Sequence, residues 1–290
     1  MFLLGYNTNG FAHHRPLDAL EVLAELGYEA VAITPDVGPL DPLAPDSKTI
    51  DRIRLRAEQL GIVLSVESGA RYVLDPARKH FPTLMEDERS DRARRIEFLE
   101  RSIDLAADLG AGVFSFWAGA APGGATGDES APDELWDRLC EGTLRVLERA
   151  RQQGVVASFE PEPGMFIERP QGYFELLKRL GSAGDPLGLC LDVGHLLVTG
   201  DLPVGDVIRR VGERIAMVHL DDIKNGVHDH RMFGTGDLDL AEALEALLDV
   251  HYDGICAVEL SRDSHRAPWA ARKAMEHLTR ALVSTEERSG

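Results

Sequence analysis

Four apolar runs in the second half of the chain each end in a group that can hold a cation or move a proton. Glu160 follows VVASF, Asp192 closes LGLCLD, His219 stands in IAMVHLD and Glu259 follows ICAV. A carboxylate or imidazole at the end of an apolar run is costly unless something pairs with it. Each has an ordinary reading on its own: Glu160 as a cap, Asp192 as a turn residue before Gly194, His219 as a core histidine, Glu259 as a surface acid. Their recurrence at one level of four successive runs favours a shared site. Three carboxylates and one imidazole make an oxygen-rich donor set that suits Mn²⁺, Mg²⁺ or Co²⁺ and accommodates Zn²⁺.

More polar groups gather near these. His195 follows Asp192 in DVGH, and the stretch GVHDHRMFGTGDLD (226–239) carries His228 and His230 ahead of a glycine-spaced turn. The stretch reads as an extended loop, in which residues two apart face the same way. His228 and His230 therefore aim at one target while Asp229 points elsewhere. Beside His195 they read as substrate-contacting residues. Glu67, Trp117 and Glu162 also stand at the ends of runs, and Arg231 is a cation of the 226–239 stretch. All four are assigned to substrate binding. Trp117 equally suits a core position, and Glu67 an ion pair with Arg71.

These groups need a scaffold that brings strand ends together. Eight β-rich runs alternate with helical-period segments: 3–7, 30–34, 62–68, 112–118, 155–161, 187–193, 215–221 and 255–261. Between them lie stretches such as 16–27 and 89–110, the latter with Leu99, Ile103, Ala106 and Ala107 on one face. Gly27, Gly61, Gly110 and Gly154 fall where helices should stop. Near-continuous apolar strands separated by helices imply a parallel sheet with a covered outer face. Eight such units predict an α/β fold, a single (β/α)₈ TIM barrel spanning 1–290. The rival, a doubly wound open sheet, calls for a glycine-rich phosphate turn after an early strand, and YNTNGFAHH lacks it. The segment 119–133, rich in Gly, Ala and Pro, reads as a mobile loop at the barrel end where chemistry collects.

The bulk properties agree. With 290 residues, 44% hydrophobic and a formal charge of −18, the chain has a sizeable core and repels polyanions. We therefore expect no nucleic acid partner and no membrane. Three separated cysteines, Cys140, Cys190 and Cys256, read as free thiols, and MFLLGYNTNG lacks the features of a signal peptide, so a cytoplasmic protein is expected. The apolar stripe of 267–284 is free to pack on the barrel or on a second subunit of a homo-oligomer.

FEPEPGMF, LDVGH, VHLDD, GTGDLD and VELS resemble the xylose isomerase-like barrel superfamily. That group holds sugar isomerases and epimerases of the tagatose 3-epimerase type, inosose-processing enzymes, dehydroshikimate dehydratases and endonuclease IV. The likeness follows element order over nearly the whole chain, with the specific motifs in its second half. It implies one divalent ion held by Glu160, Asp192, His219 and Glu259. It also implies that Glu160 and Glu259 act as an acid–base pair on opposite faces of a small carbohydrate-like substrate, a keto-sugar or cyclitol; Glu162 is the substitute if Glu160 only ligates. His195 would contact substrate or, as the likeness to endonuclease IV implies, hold a second metal ion together with His228 and His230. Such a site removes a proton beside a carbonyl, stabilises the cis-enediolate and returns the proton at the neighbouring carbon or the opposite face. A metal-dependent isomerase or epimerase is therefore expected. A lyase or dehydratase that expels a leaving group from the same enediolate is the alternative.

Two further readings stand behind these. Endonuclease IV needs histidines at the ends of its third and fourth strands, where this chain has Glu67 and Trp117. A non-catalytic metal- or sugar-binding barrel is the other. The stretch ESGARYVLDPARKHFPTL (67–84) departs from the early loops of the simple epimerases, which puts their substrates in doubt for this chain. HDHRMFGTG likewise replaces the arginine-bearing NRG-like turn common among them.

Overall fold

Every one of the eight apolar runs forms a strand in the computed structural model, which describes residues 2–289 apart from 36, 37, 39 and 129. They are β1 (Leu3–Asn7), β2 (Ala30–Ile33), β3 (Val63–Glu67), β4 (Val113–Phe116), β5 (Val156–Phe159), β6 (Gly188–Asp192), β7 (Ile215–Leu220) and β10 (Ile255–Val258). Their order is β1-β10-β7-β6-β5-β4-β3-β2 in a closed barrel, and the paired strands run parallel. A parallel pair cannot be joined by a tight turn, so helical crossovers fill the intervals. These are α1 (Pro16–Glu25), α2 (Ser47–Leu60), α3 (Arg89–Asp108), α4 (Asp133–Gln153), α5 (Pro170–Leu180), α6 (Val193–Thr199), α7 (Val204–Val211), α8 (Leu240–Asp249) and α9 (Ala267–Ser289). The protein is thus a (β/α)₈ barrel.

Two compact units make up the chain. One comprises Met1–Ile33, Arg56–Val63 and Cys190–Gly290, the other Thr34–Leu55 and Leu64–Leu189. In the first unit Tyr6 stacks edge-on against Phe11 (5.4 Å) and Tyr28 (5.5 Å), and the Tyr28 hydroxyl donates to the Ala271 carbonyl at 2.8 Å. Ala267, Ala270, Ala271, Ala274 and Leu278 of α9 are buried there, so this stripe packs within its own unit. In the second unit Phe116 meets Phe159 edge-on at 5.3 Å. Each such ring contributes roughly 1.5–3 kcal/mol by leaving water.

The helix reading of 89–110 holds: Leu99, Ile103 and Ala106 are buried and Ala107 half-buried. Gly27, Gly61, Gly110 and Gly154 all take left-handed backbone at the expected stops. The 119–133 segment begins past the C-terminal end of β4 and holds a short 3₁₀ turn at Pro122–Gly124; its residue 129 lies outside the described set. Cys190 and Cys256 are buried, Cys140 is half-buried, and all three are free thiols. Among the described residues, no helix is long and apolar enough to cross a membrane.

One correction concerns the 226–239 stretch. Its first residues are not loop but β9 (Val227–Arg231), which pairs antiparallel with β8 (Asp222–Lys224). Asn225 and Gly226 turn the hairpin with φ of 55° and 69°. Asn-Gly with two positive φ values is the preferred two-residue hairpin turn, because its twist matches that of the flanking strands.

Candidate active site

The first unit carries a cluster of buried acids and imidazoles. β6 ends at Asp192, and its Oδ1 caps α6 by accepting the His195 amide at 3.0 Å. This leaves Oδ2 buried with no hydrogen-bond partner among the described residues, 3.5 Å from His195 Nε2. His219, fully buried on β7, sets Nδ1 3.1 Å from Glu259 Oε2. Glu259 directly follows β10. Asn7 Nδ2 donates to its Oε2 at 3.3 Å and Asn9 Nδ2 to its Oε1 at 2.8 Å. Both carboxylate oxygens are therefore held in place.

Asp221, the residue after β7, is fully buried and lies 2.9 Å from His230 Nδ1. His195 Nε2 and His228 Nε2 are 3.1 Å apart, and the His228 and His230 rings are centred 4.6 Å from each other. His195, His228 and His230 form one group with the geometry to hold a metal ion. The two histidines of HDH do face one target, while Asp229 turns away to pair with Arg231 at 2.7 Å. The glycine-spaced turn is scaffold. Asp222 accepts the Gly236 amide at 2.8 Å and the Leu238 amide at 2.9 Å, and Asp239 caps α8 through the Glu242 amide at 3.0 Å. A side chain at position 236 would collide with Asp222 and the Ile223 carbonyl, so glycine is required there.

Crowded acids and imidazoles shift one another. Burial, then Asp221 and Glu259, push Asp192 well above the usual carboxylate range. Burial alone would lower His230, yet Asp221, Glu259 and Asp192 hold it well above the ordinary imidazole value. Burial would raise Glu259, and His230, His219 and His195 instead hold it below the carboxylate range. Three acids brought together out of water demand positive charge, supplied by protons or by a cation. The buried Asp192 Oδ2, the oriented Glu259 and the imidazole of His219 are donors of the kind a divalent ion takes.

The second unit holds the remaining expected residues. Glu160 is buried just past β5, its amide bonded to the Phe116 carbonyl at 2.8 Å. Glu162 is half-buried, its amide bonded to the Ile167 carbonyl at 2.9 Å. Glu67, buried at the end of β3, accepts a hydrogen bond from Thr34 Oγ1. Trp117 is buried past β4, with the Arg95 guanidinium 4.5 Å above its ring and His80 edge-on at 5.1 Å.

Arg231 is exposed and engaged with Asp229, and Lys224 is exposed and paired with Asp237 at 2.9 Å. Neither joins the cluster. Sequence reasoning missed Asn9 and Arg95. Asn9 sits in a turn without periodicity, so nothing marked it. Arg95 had a signal: it stands four residues before Leu99 and eight before Ile103, on the apolar face.

Residues 20–281 match the pattern of the xylose isomerase-like TIM barrel. The chain belongs to that family. Fructoselysine 3-epimerase of Escherichia coli O157:H7 is 25% identical over 293 residues, covering 99% of this chain and 98% of that one. Inosose dehydratase of Lacticaseibacillus casei is 27% identical over 154 residues, covering 47% and 50%. A solved D-tagatose 3-epimerase-like protein has a TM-score of 0.79 at 19% identity over 100% of both chains. An L-ribulose 3-epimerase has 0.76 at 20% identity over 100% of this chain and 97% of that one. The two structural likenesses speak to the fold.

Proposed function

We propose that the protein is a divalent-metal-dependent epimerase or isomerase of a keto-sugar, acting through an enediolate. The observation that carries this reading is Glu259, a carboxylate whose two oxygens are oriented by Asn7, Asn9 and His219 beside the buried Oδ2 of Asp192. Glu160 is assigned as the fourth ligand and second proton-transfer group. Two facts support the assignment: Glu160 directly follows β5 as Glu259 follows β10, and β5 neighbours β6 in the barrel order. A bound Mn²⁺, Mg²⁺, Co²⁺ or Zn²⁺ would supply Lewis acidity toward the substrate carbonyl.

The chain's own residues do the rest. One glutamate accepts the proton from the carbon beside the carbonyl as the C–H bond breaks. The other delivers a proton to the opposite face of the same carbon. His195, His228 and His230 offer imidazole nitrogens to substrate hydroxyls, and Asp221 fixes the His230 ring. The relatives weigh toward epimerisation over dehydration. The epimerase match runs over 99% of this chain and the dehydratase match over 47%.

Keto-sugars incubated with the Mn²⁺-supplemented protein in deuterium oxide should gain deuterium at the epimerised carbon without losing water. Glu259→Gln keeps the shape and removes the base, so turnover should fall by about 10²–10⁴-fold. Near-normal turnover in this variant would exclude Glu259 as a proton-transfer group.

A further inference from the structure

Arg95 is the most unusual charged group in the second unit. It lies on the inner face of α3 and is fully buried, and its Nε, Nη1 and Nη2 have no hydrogen-bond partner among the described residues. Its neighbours behave as surface arginines do: Arg92 donates to the Glu86 and Asp87 carbonyls at 2.8 Å, and Arg94 to the Leu74 carbonyl at 2.8 Å. The Arg95 guanidinium stacks 4.5 Å from Trp117 and 5.5 Å from Phe98. Stacking satisfies the faces of a guanidinium but none of its in-plane N–H donors. Burial pulls its pKa to about 9, which leaves it a cation at neutral pH. A buried cation without a counter-charge is strongly unfavourable unless a ligand supplies one.

Two features describe that ligand. The in-plane fork of a guanidinium matches a carboxylate, and its single charge balances one carboxylate better than a phosphate dianion. His80 lies edge-on to the same indole with φ of 70°, unusual for a side-chain-bearing residue, and its Nδ1 is 2.6 Å from the Gly69 carbonyl. Donation to that carbonyl leaves Nε2 as an acceptor for a hydroxyl. Trp117 directly follows β4, at the C-terminal strand end where barrels of this kind carry their sites.

We propose that Arg95, Trp117 and His80 form a recognition site for the carboxylate and adjacent hydroxyl of a sugar acid. This rests on the reading of the protein as acting on keto-sugars and narrows the substrate to those that bear a carboxylate.

The test is calorimetric titration and thermal melting of the Mn²⁺-supplemented full-length protein with D-fructuronate, D-fructose and inorganic phosphate. The wild type should bind fructuronate at least about tenfold more tightly than fructose or phosphate, the scale of a charge-assisted hydrogen bond. Arg95→Met should lose that preference while keeping its fructose affinity, and fructuronate should raise the melting temperature of the wild type alone. Equal binding of fructuronate and fructose by the wild type, a preference that survives Arg95→Met, or a phosphate response matching that of fructuronate overturns the proposal. If Arg95→Met does not fold, the wild-type comparison decides alone. Failure of the epimerase reading looks different: fructuronate binds in an Arg95-dependent way, yet no substrate exchanges a proton with solvent.

Discussion

Gly194→Ala separates helix propensity from site packing, because the two predict opposite signs. Gly194 is the second residue of α6, and its φ lies outside the left-handed region. On propensity alone, alanine there should stabilise the helix by about 0.8–1.0 kcal/mol. The first side-chain carbon, however, would land on the Asp221 carboxylate, closer than atoms can approach. Asp221 is pinned by its backbone at the end of β7 and cannot yield without stretching its 2.9 Å pair with His230. Overpacking costs about 1–3 kcal/mol, and separating a buried ionic pair costs about 3–5 kcal/mol. With partial relaxation, the variant should lose about 2–4 kcal/mol. Urea unfolding reads this as a lower midpoint with an unchanged slope. Gly112→Ala is the control: among the described residues a side chain there meets nothing within 4 Å, so stability should move by no more than about 0.5 kcal/mol. A Gly194→Ala protein as stable as the wild type would refute the tight seating of Asp221 on α6.

Three more outcomes follow from the same geometry. Asp192→Asn keeps a side-chain oxygen to cap α6, so stability should change by less than about 1 kcal/mol. It removes an anionic donor, so Mn²⁺ affinity measured by titration should fall by more than about 100-fold, beyond the loss typical of outer hydrogen-bonding partners; unchanged affinity would remove Asp192 from the ligand set. Elemental analysis should find about one ion per chain, whereas two would establish His195, His228 and His230 as a second metal site. Burial and the nearby Lys79 charge lower the His80 pKa from 6.5 to about 4. The unfolded chain therefore takes up this proton at a higher pH than the folded one, and stability is lost as pH falls from about 6.5 toward 4, by on the order of 2 kcal/mol by pH 5. Urea midpoints at pH 7 and pH 5 should show a shallower fall for His80→Gln than for the wild type, and equal slopes would contradict the shift.

What the sequence reveals here depends on how many constraints act on each residue. A barrel strand is apolar on both faces and bounded by helices, so all eight runs were legible, with errors only at their ends. Asp192, His219 and Glu259 were legible because a polar group closing such a run violates its pattern, and the violation recurred. The hairpin was overlooked because HDH reads as a polar loop, although the Asn225–Gly226 pair carried the turn signal. Arg95 shows the opposite limit. RSDRARRIEF contains four arginines, and only the helical phase relative to Leu99 and Ile103 distinguishes the buried one from its solvated neighbours. Composition treats those four residues alike, whereas burial makes one of them a cation in need of a partner. A residue whose burial depends on helical phase is recovered only when phase is read together with charge. The same reasoning applies to Gly194, whose meaning in DVGH lies in Asp221, a side chain 27 positions away that no local pattern connects to it.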